Sequence, residues 1–365
     1  MRVLITGADG FIGKNLQAFL SQENDITIDK YTLDNTAIEL EEKIKKADFI
    51  VHLAGINRPQ TPEEFYSGNT DLTKKIVDLL NSNRLKTPLI FSSSIQAALD
   101  NDYGKSKRLA EDYILKEYPK GIVFRLHNVF GKGCKPNYNS VVATFCNNIA
   151  KNEAITIADP EHKIELIYID DICKKFIGIM KGEVKPERPY NYVDPVKTIT
   201  LQELADLIYS FKEDLNSIKV PETGDDFTKK LFSTYISYNS LEQLFYDNEP
   251  HTDERGSFVE LIHTKDSGQF SVSISAPGIT RGNHYHHTKI EKFIVLKGEA
   301  IIRMRKIDGD EVMEFKVNDN KIQTVTIPVG YTHSITNVGK SEMILAIWCN
   351  EIFNRENPDT YYMEV

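Results

Sequence analysis

The strand-like segments of this 365-residue chain change their spacing partway along it. Up to about residue 211, apolar runs such as RVLITG and ADFIVHLAG alternate with stretches of helical periodicity such as IGKNLQAFLSQ. Continuous apolar strands that alternate with helices predict a parallel sheet covered on both faces. From about residue 253, strand-like runs are separated only by Gly, Asp and Asn turns, which predicts an antiparallel barrel or sandwich.

These two patterns predict two domains, an α/β domain at residues 1–245 and an all-β domain at residues 246–365. The stretch from residue 211 to 245 has an ambiguous pattern, and we assign it to the first domain as its last helical part and a connector.

The composition of the chain favours a soluble cytoplasmic protein. A net charge of −9 argues against a partner that is a nucleic acid or an anionic membrane. We find neither an apolar run long enough to span a bilayer nor a leader pattern at the beginning of the sequence. The four cysteines have no C-x-x-C spacing, which is typical of reduced thiols.

A glycine-rich turn follows the first predicted strand directly. The run TGADGFIG places Gly7, Gly10 and Gly13 between that strand and the first predicted helix. Glycines there allow the backbone to approach a pyrophosphate, and the helix N-terminus favours its negative charge. The same glycines could serve a plain tight turn, but their position at the first strand–helix junction favours dinucleotide binding.

A second pattern, YGKSK, places Tyr103 and Lys107 four residues apart, on one face of a predicted helix. The lysine could hold a ribose and lower the pKa of the phenol, which could then pass a proton to a carbonyl oxygen. Upstream, the run FSSS ends a strand at Ser94, whose hydroxyl could hydrogen-bond that carbonyl. A solvated helix face and ordinary turn serines would also explain these residues.

The run GNHYHHTKIEKF near residue 290 carries chemistry that is unusual for a strand. His284 and His286 are two residues apart and so share one face of a strand, Glu291 follows, and His333 comes after a Pro-x-Gly turn. Imidazoles with one carboxylate suit Zn²⁺, Fe²⁺, Mn²⁺ or Ni²⁺ with positions left open. One such histidine would be a surface residue, but the whole set predicts a metal site, for which we favour zinc.

Together, the motifs of the first domain resemble the extended short-chain dehydrogenase/reductases. The resemblance rests on the glycine turn, HLAG at residues 52–55, FSSS, the Tyr103–Lys107 pair, and the runs around Asn69, Asn128 and residues 170–171. It implies a Rossmann-type doubly wound parallel sheet, with Tyr103 as the acid, Lys107 as its partner and Ser94 as the group that orients the carbonyl. It also implies a sugar-nucleotide substrate with Asn128 near the sugar.

The same resemblance implies a nicotinamide cofactor held by the glycine turn and by the ends of the next strands. The expected cofactor-binding residues, besides Lys107, are Gly7, Asp9, Gly10, Phe11, Ile12, Gly13, Asp29, Lys30, Leu53, Ala54 and Gly55. The segment between residues 26 and 49 is shorter than is usual in that family. Asp29 could hold a free 2′-hydroxyl of NAD and Lys30 a 2′-phosphate of NADP, so these residues leave the choice open, and the resemblance favours NADPH.

The histidine and glutamate pattern of the second domain resembles both metal motifs of the cupins, which are small β-barrels. DERGSF at residues 253–258 and the run around Arg281 also resemble the cupin-type 3,5-epimerases of keto-deoxysugar nucleotides, in which the residue at His284 is a base. A metal ligand is not also a free base, and we favour the ligand role. The base is then unassigned, with Tyr285, Lys292 and Tyr331 as candidates, and Arg281 is a candidate partner for a diphosphate.

The order of a reductase before a cupin resembles, over the whole chain, the bifunctional enzymes of capsular polysaccharide synthesis that form UDP-2-acetamido-2,6-dideoxy-L-talose, in the UDP-N-acetyl-L-fucosamine pathway. This resemblance implies metal-dependent C3 epimerisation of a UDP-linked 4-keto aminosugar in the cupin, then NADPH-dependent reduction of its C4 ketone. The alternatives are a one-step reductase with a dimerising or regulatory cupin, and a sugar-nucleotide sensor. We expect a homodimer, because both families commonly self-associate.

Overall fold

The computed structural model describes residues 1–215, 220–247, 251–253, 256–258, 268–351 and 356–365. It divides into two compact units. The first comprises residues 1–140 and 163–199, and the second comprises residues 141–162 and 200–365. None of the helices in the described ranges is both long enough and apolar enough to cross a membrane.

The α-helices of the described residues are α1 (Phe11–Leu20), α2 (Ala37–Lys46), α3 (Pro62–Phe65), α4 (Leu72–Ser82), α5 (Asp102–Glu117), α6 (Val141–Ala150), α7 (Ile169–Met180), α8 (Leu201–Leu215) and α9 (Asp226–Ile236). A π-helix at Tyr66–Asp71 joins α3 to α4, and 3₁₀ helices occupy Ile95–Ala98 and Leu241–Leu244.

The strands of the described residues are β1 (Arg2–Thr6), β2 (Thr27–Tyr31), β3 (Phe49–His52), β4 (Leu89–Ser94), β5 (Gly121–Leu126), β6 (Asn128–Phe130), β7 (Lys163–Tyr168), β8 (Tyr190–Asn191), β9 (Lys197–Thr200), β10 (Phe245–Asp247), β11 (His251–Asp253), β12 (Gly256–Phe258), β13 (Gln269–Ser275), β14 (Thr280–Tyr285), β15 (Glu291–Lys297), β16 (Glu299–Lys306), β17 (Val312–Asn318), β18 (Gln323–Ile327), β19 (Tyr331–Asn337), β20 (Met343–Cys349) and β21 (Tyr361–Tyr362).

The first unit is built on a parallel sheet of six strands in the order β2-β1-β3-β4-β5-β8, which confirms the predicted Rossmann-type sheet. Strand β1 is a continuous apolar run because both of its faces are covered, and Val3, Leu4 and Ile5 are fully buried. The helices turn apolar stripes toward the sheet, as Ile76 and Leu80 of α4 show. The carboxyl ends of the parallel strands meet at one edge, where such sheets bind their ligands.

The run GIVFRLHNVFG at residues 121–131 has the apolar pattern of one strand, but it forms two. The chain leaves β5 at Leu126, passes through His127 and enters β6, which belongs to a second sheet in the order β6-β7-β9. An apolar pattern alone does not reveal such a change of sheet, since both halves are strand-like.

The second unit contains antiparallel sheets, as the spacing of its strands predicts. Among the described residues two of them have five strands, in the orders β10-β18-β15-β20-β13 and β17-β16-β19-β14-β21, and β11 pairs with β12 in a third. Alternate side chains of β16 point inward, and Ala300, Ile302 and Met304 are buried. Gly298, with φ +92°, separates β15 from β16, which belong to different sheets although the apolar pattern of residues 292–307 predicts one continuous strand.

The second unit also includes α6, α8 and α9. Phe211 of α8 and Phe232 of α9 pack with ring centroids 5.1 Å apart. The domain prediction assigned these helices to the first domain, and the proposed boundary between residues 245 and 246 stays a prediction.

Candidate active site and candidate metal centre

The glycine turn after β1 packs tightly against the end of β3. Gly7 has φ +67°, and its amide donates to the carbonyl oxygen of Tyr31 at 3.0 Å. A β-carbon on Gly7 would lie 2.6 Å from the amide nitrogen of Ala54, and one on Gly13 would lie 2.5 Å from the carbonyl oxygen of Gly7. Only glycine fits at either position. The turn therefore brings residues 53–55 beside the start of α1.

No side chain caps the N-terminus of helix α1, so its first backbone amides can donate hydrogen bonds to a ligand. Gly10 is its N-cap residue, so no side chain caps the helix, and its first turn carries no acidic residue. Asp9 directly precedes the N-cap residue, and Phe11 and Ile12 are the first two residues of the helix. An uncapped helix N-terminus with a close glycine turn suits a pyrophosphate, so these residues fit a dinucleotide.

The structure does not bring Asp29 and Lys30 next to the glycine turn. Strand β2 ends at Tyr31, and it is Tyr31 that bonds to Gly7. Asp29 lies two residues earlier, with its carboxylate 3.6 Å from the guanidinium of Arg2. Lys30 is exposed. Their predicted contacts with the adenosine ribose stay predictions.

The three residues predicted for catalysis meet where β4 ends and α5 begins. The phenol of Tyr103 hydrogen-bonds Ser94, and the ammonium of Lys107 donates to the carbonyl oxygen of Ser92 at 3.0 Å. Asn101 caps α5 by accepting from the amide of Gly104 at 2.7 Å, which fixes the first turn that carries Tyr103.

Burial sets the electrostatics of this cluster. It raises the pKa of Tyr103, while the hydrogen bond with Ser94 lowers it. Burial also lowers the pKa of Lys107 to about 8, although the carboxylate of Glu111 acts in the opposite direction. His52 lies nearby with its pKa lowered to about 3, first by burial and then by Lys107, so it is neutral. The arrangement combines a proton donor, a nearby cation and a hydroxyl.

Sequence reasoning missed Glu111, which is fully buried on α5 four residues beyond Lys107. Its carboxylate accepts from the hydroxyl of Ser93 at 2.5 Å and from both Nε and Nη2 of Arg125, the latter at 2.6 Å. The spacing of Tyr103, Lys107 and Glu111 at every fourth residue is the signal that could have identified it. Glu111 thus ties α5 to both β4 and β5.

The two residues predicted to bind substrate have other partners here. The side-chain amide of Asn128 donates to the carbonyl oxygen of Glu165 at 3.2 Å. The guanidinium of Arg281 donates to the hydroxyl of Ser275 at 2.8 Å and to the carbonyl oxygen of Ile274 at 3.2 Å. Each side chain has further N–H groups that could donate to a substrate. The substrate-binding roles of Asn128 and Arg281 stay predictions.

In the second unit, the four predicted metal ligands come together. One ligand atom from each of His284, His286, Glu291 and His333 lies within 4.8 Å of the other three. The carboxylate of Glu291 is 3.1 Å from Nε2 of His333 and 3.4 Å from Nε2 of His286. His333 is fully buried and His286 nearly so.

Backbone irregularities in β14 produce this arrangement. Gly282 has φ +100° and Asn283 has φ +55°, and the register of β14 against β19 shifts between Gly282 and His284. The resulting bulge pairs His284 directly with His333, so that the two imidazoles point to the same face. A β-carbon on Gly282 would lie 2.7 Å from the carbonyl oxygen of His333.

The polar atoms of this cluster fit a metal ion. Glu291 Oε2 and the Nε2 atoms of His286 and His333 are buried without a hydrogen-bond partner in the described part of the chain. Burial lowers the pKa of His333, and it lowers that of His284 to about 4, so both imidazoles are neutral. Burial raises the pKa of Glu291, but the two neighbouring imidazoles outweigh it and hold that pKa well below its usual value. Neutral imidazoles and an ionised carboxylate are the forms that bind a metal.

Of the three candidate bases, only Tyr331 lies on the same face of its strand as a candidate metal ligand. It precedes His333 by two residues on β19, and burial raises its pKa to about 12. Tyr285 alternates away from His284 and packs on Tyr361 with ring centroids 5.6 Å apart. Lys292 alternates away from Glu291 and donates to the hydroxyl of Tyr246 at 2.9 Å.

Comparison with known protein families gives two matches. The sequence profile described as the NAD dependent epimerase/dehydratase family matches residues 3–192. The profile described as the polysaccharide biosynthesis C-terminal domain matches residues 251–361.

Individual relatives extend over the whole chain. A protein of Pseudomonas aeruginosa named UDP-2-acetamido-2,6-beta-L-arabino-hexul-4-ose reductase is 44% identical over 100% of this chain and 99% of its own length. The crystal structure of the capsular polysaccharide assembling protein CapF from Staphylococcus aureus is 44% identical, covers 100% of both chains and superposes with a TM-score of 0.68. The D-erythronate dehydrogenase of Haemophilus influenzae is 25% identical over 60% of this chain and 89% of its own length.

Proposed function

Because the chain belongs to the NAD-dependent epimerase/dehydratase family, we propose that it is a bifunctional sugar-nucleotide enzyme. In this proposal the second unit epimerises C3 of a UDP-linked 2-acetamido-4-keto-2,6-dideoxyhexose, and the first unit reduces the C4 ketone with NADPH. The product is UDP-2-acetamido-2,6-dideoxy-L-talose, destined for capsular polysaccharide. The observation that carries the reductase activity is the meeting of Ser94, Tyr103 and Lys107, and the names of the full-length relatives support the substrate class.

In the reduction, a bound nicotinamide supplies the hydride that reaches C4. Tyr103 gives its phenolic proton to the oxygen of the ketone, so that carbon gains the hydride and oxygen gains the proton. The ammonium of Lys107 stabilises the phenolate that remains, and the hydroxyl of Ser94 holds the carbonyl in line. The family implies the nicotinamide itself, while the choice of NADPH is supported by the resemblance of the sequence motifs.

In the epimerisation, His284, His286, Glu291 and His333 would hold one divalent metal ion, which we propose is zinc. A bound metal supplies Lewis acidity that makes the proton beside a ketone easier to remove. Tyr331 is the proposed group that moves the proton at C3, because it shares the side of β19 that faces the cluster. Arg281 lies on β14 opposite Ile335 of β19, and we propose that it binds the diphosphate.

Incubation of the protein with the UDP-linked 4-keto sugar in D₂O, with no NADPH present, tests the epimerase half. We expect deuterium at C3, detected by NMR, because each reversible removal of the proton exchanges it with solvent. Treatment with a strong chelator is expected to stop the exchange. If no deuterium enters while NADPH is oxidised in a parallel assay, the second unit is not an epimerase and the one-step reductase is correct.

That alternative is a ketone reductase whose second unit serves dimerisation or regulation, and the name of the Pseudomonas aeruginosa relative, a reductase, favours it. In either case we propose a cytoplasmic enzyme. The four cysteines form no disulfide with one another, as expected in a reducing compartment.

We also propose that the chain forms a homodimer through the outer face of β13. This strand lies at the end of its sheet in the described structure, and Phe270, Val272 and Ile274 alternate along it with 49%, 55% and 55% of their surfaces exposed. A sheet edge with an apolar stripe favours pairing with a second copy of itself.

Sedimentation velocity tests this proposal. The native protein should sediment with twice the mass of one chain, and Val272→Asp should reduce it to a single chain, because a carboxylate would be buried in the interface. A monomeric native protein at micromolar concentration would refute the dimer.

A further inference from the structure

The segment formed by residues 356–365 lies along β14, the strand that carries His284 and that His286 directly follows. Its strand β21 pairs with β14, so that Tyr362 is opposite His284 and Tyr361 is opposite Tyr285. The amide of Met363 donates to the carbonyl oxygen of Asn283 at 2.9 Å, and the hydroxyl of Thr332 donates to the carbonyl oxygen of Met363. A segment distant in sequence thus lies beside the strand that carries His284.

Within this segment, the carboxylate of Asp359 organises the turn between His286 and Glu291. It accepts from three successive amides, those of His287 at 2.8 Å and of Thr288 and Lys289 at 2.7 Å each. It also accepts from the hydroxyl of Thr288 at 3.1 Å. One side chain therefore fixes the loop that sets the separation of two candidate ligands.

The main chain of Asp359 makes a second contact, with His286 itself. Nδ1 of His286 bonds to the carbonyl oxygen of Asp359. A carbonyl oxygen can only accept, so Nδ1 is the donor and Nε2 is the nitrogen left to bind a metal. Nε2 lies 3.4 Å from the carboxylate of Glu291, inside the cluster. The contact thus fixes both the tautomer and the orientation of the imidazole.

We propose that Asp359 is a positioning residue for the metal centre, and that metal binding and docking of the 356–365 segment stabilise each other. The inference rests on the proposed metal site of the second unit. Because coupling between two binding events is reciprocal, a segment that orders His286 for the metal must itself be held more firmly once the metal is bound.

Zinc affinity is the first test, measured on the full-length protein by competition with a chromophoric chelator. Asp359→Asn keeps the size of the side chain but replaces one acceptor oxygen with an NH₂ group that faces backbone amides. We expect the affinity for Zn²⁺ to fall about 10–100-fold. The matched control is Asp319→Asn, because Asp319 also accepts from a backbone amide, that of Gly298 at 2.8 Å, but lies outside the cluster. Its affinity should not change.

Hydrogen exchange of the native protein is the second test, and it does not depend on how well any variant folds. Zn²⁺ should slow exchange in the peptide that contains residues 356–365, and it should have no effect on peptides of the first unit. Equal Zn²⁺ affinities of the native protein and Asp359→Asn, or unchanged exchange in that peptide, would overturn the inference alone. If the native protein binds no Zn²⁺, the proposed metal site is wrong as well.

Discussion

Replacement of Tyr103 with phenylalanine should lower kcat for reduction of the 4-keto sugar by about 10²–10⁴-fold, the usual contribution of a positioned general acid. The phenol is the proposed proton donor and hydrogen-bonds Ser94 at the end of β4. Phe lacks the hydroxyl but preserves the packing against Phe65, whose ring centroid lies 5.7 Å away. Steady-state oxidation of NADPH measures the effect. Affinity for NADPH, followed by its fluorescence, should stay within a few-fold of the native value.

The matched control for this variant is Tyr113→Phe. Tyr113 lies on the same helix, α5, and its exposed hydroxyl bonds to Asp78 outside the catalytic cluster. Its loss should leave kcat unchanged. Retention of native turnover by Tyr103→Phe would remove Tyr103 from the mechanism.

The pH profile gives an independent reading of the same cluster. Burial lowers the pKa of Lys107 to about 8, and the groups that face it are Glu111, which opposes the shift, and the neutral His52. Below that pKa the lysine is charged and stabilises a phenolate on Tyr103. As the pH rises through about 8 the charge is lost, so kcat for reduction should fall. A flat profile between about pH 7 and 9 would show that the charge of Lys107 does not assist the reaction.

Replacement of Glu291 with glutamine should remove the metal ion and, with it, exchange at C3. Glu291 is the only acidic residue of the cluster, so its carboxylate supplies all of the negative charge that offsets a divalent cation. Glutamine keeps the shape but removes that charge. We expect zinc below stoichiometric content by elemental analysis, and deuterium exchange reduced by at least about 10²-fold, as when an electrostatic group of an active site is lost.

Glu314→Gln is the matched control for this variant. Glu314 lies on β17 and pairs with Arg303 at 2.7 Å, where both side chains are partly exposed to solvent. A surface ion pair of this kind contributes little, so metal content and exchange should be unchanged. Stoichiometric zinc with full exchange in Glu291→Gln would exclude the proposed ligand set.

Periodicity was enough to predict the two kinds of sheet, because the strands of the first unit are buried on both faces and those of the second alternate. It was also enough to group His284 with His286, since alternate residues of a strand share a face. The proximity of Glu291 and His333 was predicted from the motif, and the structure brings all four residues together.

Other features could not be predicted, because they depend on contacts between distant residues. The bulge at Asn283 that aligns His284 with His333 has no distinct sequence pattern. Nothing in the sequence near Asp359 indicates that it reaches the turn at Thr288, more than seventy residues earlier.

The hydrogen bonds between β4 and α5 determine how the candidate reductase site could be transferred to another protein, and the candidate metal site differs from it in this respect. Ser92, Ser93 and Ser94 each engage a different residue of the helix, namely Lys107, Glu111 and Tyr103. The residues proposed for proton donation thus lie in one uninterrupted stretch, residues 92–111, which an engineer could move as a unit between related scaffolds. The candidate metal ligands come from β14, the residue after it, β15 and β19, and they contact the separate 356–365 segment, so they can only be transferred together with the whole second unit.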